Sequence, residues 1–282
     1  MSIAVNQVSK SFGEVRALSG ATLTFGDQKL CGLLGRNGAG KSTLLNVISN
    51  REFPDSGSIS VDGAPAMEND AAQAKLYLMS EKTCYPEAMR VREAFRWTKN
   101  FYPAFDEEFA KHLADSFQLN LKSKVKGLST GYLSIFKLVL ALSVNVPYVL
   151  LDEPVLGLDA NHRELFYKLL LAKYAEKPFT AVISTHLIEE AARFIEDVVI
   201  LKDGQVLNSC SKDDLTAGYY TVSGSAAAVE AYIKGRNVLD VEVIGGLRSA
   251  CVEGKPEKSA AAPELEFSGI DLQKLFILLT NS

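Results

Sequence analysis

Cysteine is scarce and scattered: Cys31, Cys84, Cys210 and Cys251 are the four in the chain, and no two form a Cys-x-x-Cys pair. That spacing argues against a disulfide scaffold or a zinc site and fits a reducing compartment. Long apolar runs are missing too. The longest, residues 135–151, is interrupted by Lys137, Asn145 and Pro147, and falls short of the ~18 clean apolar residues that a membrane-spanning helix needs. The first seven residues lack a basic stretch followed by an apolar run, so no secretory signal is expected. Charge of one sign does not dominate either. Thirty Lys+Arg against 34 Asp+Glu leave a formal net charge of −4, which does not drive a protein onto nucleic acid or anionic lipid, and no nucleic-acid partner is expected. No internal repeat is visible. What remains is 47% apolar and 23% charged residues over 282 positions, the profile of a folded soluble chain. It is long enough for a main domain of about 200 residues and a smaller companion.

The segment Leu30–Gly35 reads as a short buried strand, and helical spacing begins at Lys41 after a glycine-rich turn. Residues 148–153 and 179–184 are further buried-strand candidates, each leading into a helical pattern, one from near Asn161 and one over 187–194. Strands alternating with helices predict a parallel α/β sheet. From about 85 to 145 the pattern is helical, with Asp106, Glu107 and Glu108 where a first helical turn favours negative charge. Strand Asp197–Lys202, the Asp203-Gly204 turn and Val206-Leu207 predict a closing hairpin, so the main domain is expected over 1–210. Residues 211–282 then read as a small α+β accessory domain packing as its own unit, with strands at 219–222, 238–244 and 247–252. Helices are expected at 226–234 and 270–279, and a linker at 254–263.

Between the first strand and helix, Gly35-Arg36-Asn37-Gly38-Ala39-Gly40-Lys41-Ser42 fits G-x-x-x-x-G-K-[ST]. Gly35, Gly38 and Gly40 let successive backbone N–H groups, with Asn37 among them, turn inward around phosphate oxygens. The helix N-terminus at Lys41, Ser42 and Thr43 adds positive potential. Lys41 is the group that reaches the β- and γ-phosphates, and the Ser42 hydroxyl is a magnesium ligand. Asp152 ends an apolar strand, where an acid can bind the magnesium of a nucleotide directly or through water. Glu153 beside it is positioned to orient or deprotonate an attacking water, which favours hydrolysis over mere binding.

On these motifs the chain resembles the nucleotide-binding subunits of ABC transporters over roughly residues 2–210. Leu128-Ser129-Thr130-Gly131-Tyr132 matches the family signature Leu-Ser-Gly-Gly-Gln at its first, second and fourth positions. Gly157-Leu158-Asp159 looks like the D-loop, His186 like the switch histidine, and Phe12 like the aromatic on which adenine stacks. Two departures stand out. Glu81 falls where the family has a glutamine that links magnesium and water to the membrane subunit, and a carboxylate cannot donate as an amide does. Thr130 and Tyr132 add bulk to the signature.

The resemblance implies a P-loop NTPase core of ABC type, α/β, with a helical subdomain, and ATP and Mg2+ (Ser42, Asp152, Glu81) as cofactors. It also implies a homodimer, or a heterodimer with a related ATPase subunit, formed head to tail. Lys41, Ser42, Asp152, Glu153 and His186 of one chain would then meet Ser129 and Gly131 of the other. Polytopic membrane subunits are the implied partners, with the chain at the inner face of the cell membrane and export favoured over import. The aromatic stretch Tyr85, Phe95, Trp97, Phe101, Tyr102 and Phe105 corresponds to the groove that receives a helix of the membrane partner, with burial in the helical subdomain as the other reading. Two other classes compete. A soluble ABC-type ATPase acting on ribosomes or DNA generally has two nucleotide domains or a long coiled-coil insertion, neither of which is seen. Glu153 and His186 argue against a module that only holds ATP.

Overall fold

Ile3, Val5 and Val8 turn inward, so β1 (Ser2–Phe12) buries one face, and β2 (Val15–Gly26) returns antiparallel to it with Leu18, Ala21, Leu23 and Phe25 inward. The computed structural model describes residues 1–257 and 262–281. Strand β3 (Leu30–Gly35) is buried along its whole length, as a strand covered on both faces must be, and the turn 36–40 leads into α1 (Lys41–Ile48). Strands β4 (Ser56–Val61) and β5 (Ala64–Pro65) complete a four-stranded antiparallel sheet, ordered β2-β1-β4-β5. The sequence reading does not contain this sheet. Register shifts in β1 after Val5, Val8 and Lys10 break the alternation that would have signalled it.

After α2 (Asp70–Gln73) and β6 (Leu76–Met79), three helices form a separate layer: α3 (Val91–Phe101), α4 (Glu107–Ser116) and α5 (Thr130–Ser143). Asp106 caps α4 by accepting from the Phe109 N–H at 2.9 Å. The chain continues through β7 (Tyr148–Asp152), α6 (Ala160–Glu176), β8 (Thr180–Thr185), α7 (Ile188–Ala191), β9 (Asp197–Lys202) and β10 (Gln205–Ser211). The six-stranded sheet is ordered β10-β9-β3-β8-β7-β6 and is parallel except for β10. The helix expected over 187–194 stops at Ala191. Beyond it Phe194 turns onto Tyr167, ring centroids 4.7 Å apart, and Ile195 enters the core.

One core, with Phe95, Phe136 and Phe166, lies between this sheet and the helices, and another, with Ile3, Phe25 and Tyr148, joins the two sheets. At the rim of the second core Asp62 accepts from Lys75 Nζ at 2.6 Å and from the Tyr148 hydroxyl. Burial pushes the Asp62 carboxyl up, but these bonds and the Ser2 amide outweigh it and hold its pKa below the usual 3.8. A depressed carboxyl stabilises the fold above its unfolded pKa, and that contribution fades as pH falls through the lower folded value. Asp62→Asn should therefore lower Tm at pH 7 by several degrees. The basis is ~1–3 kcal/mol for a charged hydrogen-bonding group and ~2–4 °C per kcal/mol at this chain length. The substitution should also weaken the fall in Tm below pH 3.8. Identical melting curves at pH 7 would refute this role.

The C-terminal segment contains α8 (Lys212–Ala217), β11 (Tyr219–Ser225), α9 (Ala226–Ile233), β12 (Val238–Ile244), β13 (Leu247–Glu253), β14 (Glu266–Gly269) and α10 (Leu272–Asn281). Its antiparallel sheet, β12-β13-β11-β14, shares a small core with α9 through Tyr220, Val222, Val229 and Val252. Helices α8 and α10 pack differently. Leu215, Leu272, Leu275 and Phe276 join Leu34, Ile188, Ile195, Val198 and Ile200, so this part of the segment shares its core with the main sheet. Of the linker expected over 254–263, residues 258–261 lie outside the described residues.

Candidate active site

The turn 36–40 takes its shape from glycine. Gly38 and Gly40 have φ of +83° and +103°, and a Cβ on Gly40 would stand 2.4 Å from the Ala17 carbonyl oxygen. No side chain caps α1, so its first N–H groups remain available to an anion. Ser42 and Asn37 are exposed and Thr43 half-buried at this opening. Lys41 is only 7% exposed. Its Nζ donates to the Gly35 carbonyl oxygen at 2.7 Å and stands 3.8 Å from Glu153 Oε1.

Asp152 ends β7, in register with Ser184 of β8, and Glu153 follows it. The Ser184 hydroxyl donates to Asp152 Oδ1 at 2.6 Å and accepts from the Glu153 N–H at 3.1 Å. Glu153 has φ +46°, a left-handed conformation that costs a non-glycine residue roughly 1–3 kcal/mol and persists only where neighbours enforce it. The turn aims its carboxylate at two cations or donors: Oε1 toward Lys41, and Oε2 to His186 Nδ1 at 2.8 Å. Ser184 is the site residue that sequence reasoning missed. Its only signal was a hydroxyl at the end of the strand paired with β7.

Ser129 caps α5, accepting from the Tyr132 N–H at 3.3 Å. Gly131 lies against the D-loop, where a Cβ would come within 3.0 Å of the Gly157 carbonyl oxygen, and Ser134 Oγ donates to the Leu156 carbonyl at 2.9 Å. Asp159 caps α6 through the His162 N–H and also bonds His162 Nδ1, both at 2.9 Å. Among the described residues no hydrogen bond or ion pair joins Ser129 or Gly131 to Lys41, Asp152 or Glu153. Phe12, 46% exposed at the β1–β2 turn, has Lys10 Nζ 5.2 Å from its ring centre.

Glu81 follows β6 with its side chain exposed, and its backbone carbonyl accepts from Lys137 Nζ. Burial pushes the Lys137 pKa down, against the raising influence of the Glu81 carboxylate. No group of three His, Cys, Asp or Glu able to hold a metal occurs among the described residues. The Ser42 hydroxyl and Asp152 carboxylate are nevertheless a donor set that suits magnesium, which keeps several waters and draws further ligands from phosphate.

The aromatic stretch divides between both readings. Phe95 and Phe105 are buried, whereas Tyr85, Trp97, Phe101 and Tyr102 line a groove of about 570 Å³ with Arg51 and Lys137 at its edge. Trp97 and Phe101 are 37% and 67% exposed.

A family model described as ABC transporter matches residues 18–156. The ABC transporter ATP-binding protein YtrB of Bacillus subtilis is 29% identical over 220 residues, 78% of this chain and 75% of its own length. The sulfate/thiosulfate import ATP-binding protein CysA of Rhodopseudomonas palustris is 30% identical over 255 residues, 87% of this chain and 72% of its own. A solved ATP-binding subunit of an ABC transporter superposes with a TM-score of 0.70 at 25% identity, covering 76% of this chain and 92% of that one. The fold is shared with a dimeric ATP-binding cassette holding ADP and Pi, at a TM-score of 0.66 and 24% identity, covering 74% of this chain and 98% of that one. The architecture is thus a P-loop NTPase core with β and helical subdomains. At this identity and coverage the chain belongs to the ABC transporter family: it is an ATP-binding subunit of a transport system, and its chemistry is ATP hydrolysis.

Proposed function

We propose that Lys41 and the amides of turn 36–40, with Ser42 and Thr43, hold the β- and γ-phosphates while Phe12 stacks on adenine. Ser42 and Asp152 would hold Mg2+, with Glu81 as a further ligand candidate. Bound there, the ion neutralises charge on the transferred phosphoryl oxygens. Glu153 takes the proton of the attacking water. The observation that carries this reading is the arrangement around Glu153: one oxygen faces Lys41 and the other is bonded to His186, so a single carboxylate is held between the phosphate-binding lysine and the switch histidine. The Nδ1 bond leaves the other ring nitrogen of His186 outside this contact.

Ser129, Gly131 and Asp159 complete the site of a second subunit, head to tail. Among the described residues Ser129 and Gly131 make no hydrogen bond or ion pair with Lys41, Asp152 or Glu153 of their own chain, which supports that arrangement. ATP closes the dimer and hydrolysis opens it. A homodimer is the economical form, a heterodimer with a related ATPase subunit the other. In this reading residues 1–210 are the cassette and 211–282 an accessory domain tied to it through α8 and α10.

Separate polytopic membrane subunits receive the motion through the aromatic groove, where the exposed Trp97 and Phe101 offer an apolar surface to an amphipathic helix. No helix among the described residues is long and apolar enough to cross a membrane, and we infer a peripheral position on the cytoplasmic face. The export direction expected from the sequence is not confirmed; the sulfate/thiosulfate relative is named for import. Co-expression with a polytopic membrane protein encoded beside this chain tests the partner. Phe101→Glu, at an exposed site, should keep basal ATP turnover and lose both co-purification and stimulation by the membrane protein. Undiminished capture and stimulation would refute the groove as the docking surface. Co-sedimentation with ribosomes, without membrane capture, would support the soluble ATPase instead.

A further inference from the structure

Helix α10 touches both the turn that starts at Arg36 and the segment that follows His186. Near its start Gln273 Oε1 accepts from the Glu189 N–H at 3.2 Å. That amide lies in the first turn of α7, three positions after His186, and α7 has no side-chain cap of its own. A helix start leaves its first N–H groups without intrahelical partners, and the C-terminal segment supplies one here. The next residue, Glu190, pairs with Arg163 at 3.1 Å, and Arg163 also donates to the Leu158 carbonyl of the D-loop at 3.0 Å. At the other end of α10, about 12 Å along the axis at 1.5 Å per residue, Asn281 Oδ1 accepts from Arg36 Nη1 at 3.0 Å. Arg36 is the second residue of the phosphate loop. Its carbonyl accepts from the Ala39 N–H at 3.1 Å and lies 3.4 Å from Lys41 Nζ. Between these ends Leu275 and Phe276 are buried in one core with Leu34 and Ile188, so α10 is fixed to the strand before the loop and to the helix after the histidine.

We propose that Asn281 and Gln273 are positioning residues for ATP hydrolysis. Asn281 holds the phosphate loop in its anion-binding shape through Arg36, and Gln273 holds the segment that carries His186. The C-terminal helix is then part of the working site, and whatever moves the accessory sheet bears on nucleotide affinity and turnover. The inference rests on the phosphate-loop assignment proposed above.

Deleting α10 would expose its buried apolar face, so point variants of the full chain are the test. Asn281→Ala should raise the KM for ATP about threefold to tenfold with kcat within about twofold, the worth of one ordinary hydrogen bond between exposed side chains. Asn281→Asp keeps an oxygen for Arg36 and should restore it. Gln273→Ala should lower kcat by about threefold to tenfold at unchanged KM, and Gln273→Glu should restore kcat. Tm should stay at the wild-type value throughout. Unchanged kinetics in both alanine variants would overturn the proposal. So would a lower KM in Asn281→Ala, or losses that track a falling Tm and resist the conservative replacements. Lys41→Ala separates the two levels: if it binds ATP as wild type does, the phosphate-loop assignment itself fails.

Discussion

Glu153→Gln is expected to slow ATP hydrolysis by ~10² or more, to keep ATP affinity near wild type, and to accumulate an ATP-bound dimer. The change removes a base and preserves a side chain of nearly the same shape. Glu153 has a half-buried carboxylate, a left-handed backbone held by Ser184, and contacts to Lys41 and His186. Glutamine can occupy that turn and can still face His186, but it cannot accept the proton of an attacking water. The phosphate cradle, built from backbone N–H groups and Lys41, does not involve the substituted atoms. Single-turnover rates with nucleotide titration and mass measurement in ATP check all three parts. Near-normal turnover would remove Glu153 from the chemistry. A variant that has lost ATP binding would show that its carboxylate is needed to keep Lys41 in place.

The second large effect is expected from mixing two inactive chains. Lys41→Ala deletes the cation proposed to face the phosphates and should lose nucleotide affinity. Ser129→Arg places bulk and charge at the start of α5, with a cap loss of about 1 kcal/mol as its local cost, and should block the site completed by that helix. A dimer containing one chain of each kind has one site with both halves intact. The mixture should therefore recover measurable ATPase activity where neither variant alone does. No recovery, with mixed dimers demonstrated by mass, would count against Ser129 acting in trans.

The parts of this protein with local causes were readable from its residues. The strand Leu30–Gly35 leads into a turn shaped by the left-handed conformations of Gly38 and Gly40, and the following helix starts at Lys41. The helical region announced itself by Asp106, Glu107 and Glu108, and the closing hairpin by Asp203-Gly204. Each of these signals lies within a few residues of the structure it specifies. The family was legible for the same reason, through short motifs in a fixed order.

Tertiary structure decided what depends on distant partners. The local hairpins β1–β2 and β4–β5 become one sheet only through the distant pairing of β1 with β4, and register shifts blurred the alternation of β1. Ser184 acquires its place beside Asp152 and Glu153 because β7 and β8 are parallel neighbours in register, a relation with no trace in local sequence. The same holds for α10. A helix was expected there, but only the folded chain assigns its buried face to the core around Leu34 and Ile188, and its two ends to Arg36 and Glu189. Local conformational preference determined the phosphate loop; burial of surfaces far apart in the chain determined what surrounds it.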